Sequence, residues 1–552
     1  MHGPFGEVAL LLLVSALAGA LFVRLRQPAL IAYIAVGILL GPAGVGLVQA
    51  DGAISLFAQI GVAVLLFLVG LRLDIHHVRH MGPVALATGL GQLTFTILIG
   101  FGLIVWMGKG TIEALYVATA LTFSSTIIIV KLLADKRELD SLHGRIAVGF
   151  LIVQDVAVVL AMMALSALRA APTSGELAVI AVPAALALRV GAAAALTFVL
   201  MRYILPGLVR MMARSQELLV VFAIAWGTAL AALGEGAGFS KEAGAFLAGF
   251  TLASTSYREA MGARLTGVRD FLLLFFFIHL GANLELDILG AELVPAIVLS
   301  AFVLIGNPLI VMAIMGYMGY RRRTGFLAGL TVAQISEFSI IFVGMGIALG
   351  HVGQEALSLT TLVGIVTITL STYLILYSHP LYERLAPWLR IFERRRPHRE
   401  LAMEREPRPV RHPDVIVFGV GRYGGRLLER LLESGVDAIG VDFDPEAVRA
   451  ARRAGVPVRF GDGEDPAFLE ALPLEEAQWV VTTLPLWEAN RAFLHALREA
   501  GFKGRVAGVV RDEAHGHALV RAGAALVLNV FADAADHAAR VLAAELGGRK
   551  EA

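Results

Sequence analysis

Apolar runs near the ~17–25 residues that a helix needs to cross a ~30 Å hydrocarbon layer recur along the first two thirds of this chain, the ninth and tenth of them being short. Thirteen are separated by polar breaks, at 6–23, 29–48, 54–71, 83–107, 112–133, 145–168, 177–203, 216–234, 241–255, 268–282, 293–317, 325–350 and 356–378. In lipid, every backbone N–H and C=O needs a partner within the protein, so such a chain is confined to a bundle of spanning helices. The 552 residues are 57% apolar and 16% charged, against ~45–50% and ~25% in soluble globular domains. Polar breaks within 235–257 leave twelve spans as the alternative count. Ala16-Leu17-Ala18 resembles a signal-peptide cleavage site, but Arg24 and Arg26 follow the apolar run rather than precede it, so a retained first helix is expected.

With thirteen spans, one set of alternate loops collects the positive charge. It holds Arg24, Arg72, Lys136, Arg202, Arg258 and Arg321 with their basic neighbours, whereas the opposite loops offer little beyond Lys109, Arg169 and Lys241. The positive-inside rule then places the C-terminal region in the cytoplasm and the N-terminus outside, and the cell's inner (plasma) membrane is the expected location. This alternation also favours thirteen spans over twelve. The chain contains no cysteine, which excludes a disulfide framework, a thiolate zinc site and a redox-active thiol. A net charge of +1 argues against a nucleic-acid-binding face.

The composition changes after residue 378. Residues 379–412 carry nine arginines and five glutamates and read as a charged linker lying near anionic headgroups. From 413 to 552 the pattern becomes strand, turn and helix, with strands expected near 414–418, 438–441, 456–460, 478–483, 505–510 and 525–529. Strands alternating with helices imply a parallel sheet covered on both faces. Gly419-Val-Gly421-Arg422-Tyr423-Gly424 follows the first strand and opens a helix, and Asp442 ends the second strand. Glycines there permit a tight turn and close approach of a pyrophosphate to a helix N-terminus, while the acid suits a ribose hydroxyl. Arg422 adds a phosphate contact, and Asp462 is a candidate in the second crevice.

A carboxylate in mid-bilayer costs a few kcal/mol and is a functional candidate by default. Asp155, beside Gln154, and Glu337, after Gln334 and Ser336, both meet this test. Each lies roughly 15–20 Å from the ends of its expected helix at ~1.5 Å per residue. Thr122-Phe123-Ser124-Ser125-Thr126 places four hydroxyls in an otherwise apolar run, where they can satisfy an interrupted helix or ligate a hard monovalent cation. Asn307-Pro308 interrupts the eleventh span. Asp74, His76, His77 and His80 follow a helix end and read as a solvated loop rather than a metal site.

Taken in this order, Thr122–Thr126, Gln154-Asp155, Gly244–Gly249 and Gln334–Phe338 resemble the monovalent cation:proton antiporter superfamily of the Kef and NapA type. The C-terminal part resembles the RCK (TrkA-N) nucleotide-binding domain. The resemblance implies a membrane all-α unit of inverted repeats with crossing broken helices, joined to a cytoplasmic α/β Rossmann-like domain and assembled as a homodimer in the lipid bilayer. It implies exchange of K⁺, or Na⁺, for H⁺ at Asp155, with Gln154, Ser124, Ser125, Thr126 and Glu337 around the ion. An adenine nucleotide (AMP, ATP, ADP or NAD(H)) is implied as the regulatory ligand. Two features depart from the family. Asn307 stands where many relatives place a lysine, and no His-Ala-Leu-Glu element, which accompanies glutathione gating in Kef systems, is recognisable between Arg258 and Phe271. A lone carboxylate without a basic partner suggests one-for-one, electroneutral exchange. A nucleotide-gated channel is the alternative, disfavoured because the TVGYG filter is absent. With no substrate domain beside the nucleotide fold, a tethered dehydrogenase is not expected.

Overall fold

The structure, a computed structural model, describes residues 4–42, 44–46, 52–72, 83–136, 138–139, 141–169, 191, 195, 199–236, 240–255, 257–283, 286–394, 412–461, 463, 468–469, 472–484, 487–510 and 513–548. Asp74, His76, His77, His80 and Asp462, most of the 177–203 stretch and linker residues 395–411 lie outside them. The chain forms two compact units, a helical one from most of residues 1–393 and an α/β one from most of 394–552.

In the helical unit, eight described helices are long and apolar enough to cross a membrane. They are Gly6–Arg24, Ala53–Leu71, Val84–Trp106, Leu142–Leu165, Glu217–Gly236, Arg258–Ala282, Glu292–Met318 and Gln354–Leu376. Glycines let some of them pack backbone to backbone. A Cβ on Gly249 would strike the Phe67 carbonyl, and one on Gly70 would strike that of Phe246, so at these glycines the Ala53–Arg72 and Lys241–Leu252 helices meet backbone to backbone.

Two apolar stretches are interrupted. The first runs as Thr111–Ala120, an unwound turn, then Thr126–Asp135; the second as Arg322–Leu330, a turn, then Glu337–Ala348. Glu337 is therefore the first residue of a half-helix, not the centre of a continuous one as span arithmetic has it. The helix containing Asn307 deviates as well. A wide π-turn over Phe302–Gly306 precedes Asn307-Pro308 and accommodates the proline, which has no N–H to donate and a ring that crowds the preceding turn. A third difference concerns Arg258, Arg264 and Arg269, read from sequence as loop charges. They lie on the Arg258–Ala282 helix, which extends beyond its apolar run, and the buried Arg269 bonds Asp270 through Nε at 2.9 Å and Nη2 at 2.6 Å.

The α/β unit contains all six expected strands: β1 (Val415–Phe418), β2 (Ala438–Asp442), β3 (Val458–Phe460), β4 (Trp479–Thr482), β5 (Arg505–Val510) and β6 (Leu526–Asn529). They pair in parallel in the order β3-β2-β1-β4-β5-β6. This is the doubly wound order, in which a ligand binds beyond the carboxyl ends of the strands where the order reverses, here between β1 and β4. All four β1 residues are buried, as a central strand covered on both faces requires.

At one end of the helical unit a carboxylate ties four segments together. Glu138 Oε1 meets Lys136 Nζ at 2.9 Å and His379 Nε2 at 2.8 Å, and Oε2 meets His143 Nε2 at 3.2 Å. Lys136 also donates to Ser378 Oγ at 2.7 Å, and Arg323 Nη2 lies 3.4 Å from His379 Nδ1. Burial disfavours the Glu138 carboxylate, but the bonds from His143 and His379 and the Lys136 charge outweigh it and hold the carboxyl far below its ordinary value. A depressed folded pKa adds stability that is complete above the unfolded value and is lost as pH falls toward the folded one. Glu138→Gln is expected to cost about 3 kcal/mol near neutrality. In thermal unfolding, its gap from wild type should narrow as pH is lowered through 4.5, the ordinary value; a pH-independent gap would refute the ionic cause.

Candidate functional site

The first break forms where four hydroxyl residues replace the apolar run. Thr122 Oγ1 bonds back to the Thr119 carbonyl at 2.6 Å, closing the first half-helix. Ser125, with extended backbone, starts the second half-helix without capping it through its side chain. The adjacent Leu142–Arg169 helix presents two polar residues to this turn. Gln154 Oε1 accepts the Ser124 amide at 3.2 Å, and Asp155 Oδ2 accepts Thr126 Oγ1 at 3.0 Å. Among the described residues, the hydroxyls of Ser124 and Ser125 are buried with no hydrogen-bond partner. A half-helix N-terminus carries positive partial charge, which favours a carboxylate such as Asp155 beside it.

The second break lies against the first. Ser339 Oγ donates to the Ala120 carbonyl at 2.6 Å, and Asn307 Nδ2 reaches both the Leu121 carbonyl (3.3 Å) and the Val332 carbonyl (3.4 Å). Thr367 Oγ1 accepts the Ile335 amide at 3.3 Å, while Ser336 caps the half-helix that begins with Glu337. Glu337 is buried, and Ser336 Oγ donates to its Oε2 at 3.2 Å. Ser124, Ser125, Thr126, Gln154 and Asp155 thus converge on one turn, whereas Glu337 belongs to the second break.

Sequence reading passed over Gln92 and Thr96, both fully buried on the Pro83–Trp106 helix. Gln92 Oε1 accepts Gln154 Nε2 at 2.7 Å, and Thr96 Oγ1 donates to Asn307 Oδ1 at 2.8 Å. The missed signal is a polar stripe, Thr88, Gln92 and Thr96, at four-residue spacing in an apolar helix. A cavity of about 690 Å³ reaches the second half-helix at Ile340, Ile341 and Gly344 and is rimmed by the polar side chains of Gln59, Lys241 and His279.

In the α/β unit, the glycine turn joins β1 to the Arg422–Glu433 helix. Gly419 adopts φ +87°, a left-handed conformation that favours glycine. A Cβ on Gly424 would collide with the Gly419 carbonyl, whereas Gly421, the N-cap of the helix, faces open space and has no side chain to cap it. These features fit a pyrophosphate at the helix N-terminus, held by backbone amides with Arg422 beside them. Asp442, at the end of β2, accepts the Val420 amide at 2.6 Å and the Asp444 amide at 2.8 Å. Burial raises its carboxyl above the ordinary value despite those bonds.

Comparison with known proteins gives two family matches: "Sodium/hydrogen exchanger, transmembrane" over residues 10–376 and "TrkA-N domain" over residues 415–530. The glutathione-regulated potassium-efflux system protein KefC of Cronobacter sakazakii is 28% identical over 95% of this chain and 82% of its own length. The iron transporter MagA of Paramagnetospirillum magneticum is 30% identical over 67% of this chain and 85% of its own. Among solved structures, the sodium proton antiporter MjNhaP1 of Methanocaldococcus jannaschii covers 70% of this chain and 97% of its own, at 15% identity and a TM-score of 0.46. With the membrane match extending through both helix breaks and the Asp155 helix, the chain belongs to the sodium/hydrogen exchanger family and carries a C-terminal TrkA-N domain.

Proposed function

We propose that the helical unit exchanges a monovalent cation for a proton at Asp155. The observation that carries this reading is the meeting of one carboxylate with a broken helix whose Ser124 and Ser125 hydroxyls are buried and unpartnered. Hydroxyls and a single carboxylate are hard oxygen donors suited to K⁺ or Na⁺. K⁺ is favoured because KefC, which aligns over nearly the whole chain, is named a potassium-efflux protein. Asp155 would hold the cation and the proton in turn, and Thr126 would orient it through their hydrogen bond. An empty, ionised carboxylate is costly to carry across lipid, so the unit alternates access only when the charge is neutralised. Asn307 brings no positive charge to the breaks, which supports one-for-one, electroneutral exchange. Charge alternation among the loops supports a cytoplasmic α/β domain and an inner-membrane location. A homodimer follows from the family resemblance.

Regulation rests on the glycine turn. Gly419, Gly421, Gly424, Arg422 and Asp442 would hold an adenine nucleotide, whose phosphate fits the open space at Gly421. A ligand shifts transport only by binding two conformations unequally, and a ~10-fold preference corresponds to ~1.4 kcal/mol.

In proteoliposomes, Asp155→Asn should abolish cation-dependent proton flux in a folded protein, while Glu337→Gln should slow it without eliminating it. Exchange persisting in the Asn variant would dismiss Asp155 as carrier, and complete loss in the Gln variant would reverse the ranking of the two carboxylates. For the nucleotide site, calorimetry on the full-length protein should detect binding of an adenine nucleotide, and Gly421→Asp should abolish both that binding and any nucleotide-dependent change in flux. Absence of binding across AMP, ADP, ATP and NAD(H) would rule out the regulatory reading.

A further inference from the structure

Around the first break, the buried side-chain hydrogen bonds run in one direction. The Ser124 amide donates to Gln154 Oε1 (3.2 Å), and Gln154 Nε2 donates to Gln92 Oε1 (2.7 Å). Gln92 Nε2 donates to Thr96 Oγ1 (3.1 Å) and reaches the Thr122 carbonyl at 3.4 Å. Thr96 Oγ1 donates to Asn307 Oδ1 (2.8 Å), and Asn307 Nδ2 ends the run on the carbonyls of Leu121 and Val332. Backbone groups fix both ends. An amide N–H can only donate and a carbonyl can only accept, so every side-chain amide between them has one permitted orientation.

We infer that Gln92, Thr96 and Asn307 are positioning residues of the cation site, closing a directional hydrogen-bond ring around the break from Ser124 to Leu121. The four side chains of the ring, Gln154, Gln92, Thr96 and Asn307, are at most 1% exposed, and none is charged. The ring occupies the Ser124 amide and the Leu121 carbonyl, groups that unwinding takes out of the helix ladder and that lipid cannot satisfy. It also turns the Gln154 carbonyl toward the Ser124 amide, so Gln154 shapes the turn while the unpartnered hydroxyls of Ser124 and Ser125 remain available to the ion. Through Val332, Asn307 ties the second break to the same ring. A ring of this kind specifies one geometry when every member is satisfied and fails at any member that loses its donor.

This inference deepens the exchange reading and rests on it, and Thr96 separates the two. Thr96→Val keeps the side-chain volume but can neither accept from Gln92 nor donate to Asn307. Thr96→Ser keeps the hydroxyl and loses a methyl group. Proton flux in proteoliposomes would be measured against K⁺ and Na⁺ concentration for both variants, with thermal unfolding run in parallel. The Val variant should raise the half-saturating cation concentration about tenfold, the equivalent of ~1.4 kcal/mol, while the Ser variant should restore it to within about twofold, since it keeps the bonds that Val loses. A role confined to packing gives the opposite ranking, because Val fills the space and Ser leaves a void. Gln92→Met, of similar volume and without the amide, should match Thr96→Val and decides the matter if the Val variant does not fold. Wild-type half-saturation in Thr96→Val or Gln92→Met would overturn the ring. Absence of cation-dependent proton flux in the wild-type protein would overturn the exchange reading instead.

Discussion

A helix interrupted inside a bilayer exposes backbone N–H and C=O groups where no water can reach them, and each unpaired group costs several kcal/mol. Among the described residues the helical unit has two such breaks, and polar side chains gather around both. Ser339 reaches the Ala120 carbonyl, Asn307 reaches Leu121 and Val332, Thr367 receives the Ile335 amide, and Gln154 receives that of Ser124. Each of these side chains serves the backbone. The hydroxyls of Ser124 and Ser125 do not, and they lie on the turn that meets Asp155.

Much of this was legible in the sequence. Long apolar runs marked the helices, the cluster Thr122–Thr126 marked the first break, and Gln154-Asp155 marked the helix that faces it. In the α/β unit all six strands fell where the alternation of apolar runs and turns placed them, because a parallel strand buried on both faces reads as a short apolar run bounded by turn residues. The second break was harder to place by composition, since Thr331–Ser336 keeps apolar residues at Val332, Ala333 and Ile335, and span-counting alone ran one helix from 325 to 350. Its unwinding depends on partners far away in sequence, among them Asn307 and Thr367.

Gln92 and Thr96 were missed for the same reason. One glutamine and one threonine in an apolar helix do not reveal a partner 62 or 211 residues away. Glu138 was equally unmarked, as an acid in a charged loop that becomes central only when His143 and His379 meet it. Asn307 was noticed as a departure from the family's lysine, and the structure gives that departure a physical content. An amide can donate to two carbonyls with its nitrogen and accept with its oxygen, so it joins both breaks without adding charge.

That neutrality bears directly on the central claim. If Asp155 is the carrier and holds one monovalent cation or one proton at a time, each cation that enters displaces one proton and no net charge crosses the membrane. Proteoliposomes adsorbed on a supported membrane allow luminal pH and displaced charge to be recorded together after a jump in cation concentration. The expected result is a luminal pH change that saturates with K⁺ or Na⁺ and is accompanied by no sustained current. A steady current that scales with the proton flux would contradict one-for-one exchange at a single carboxylate.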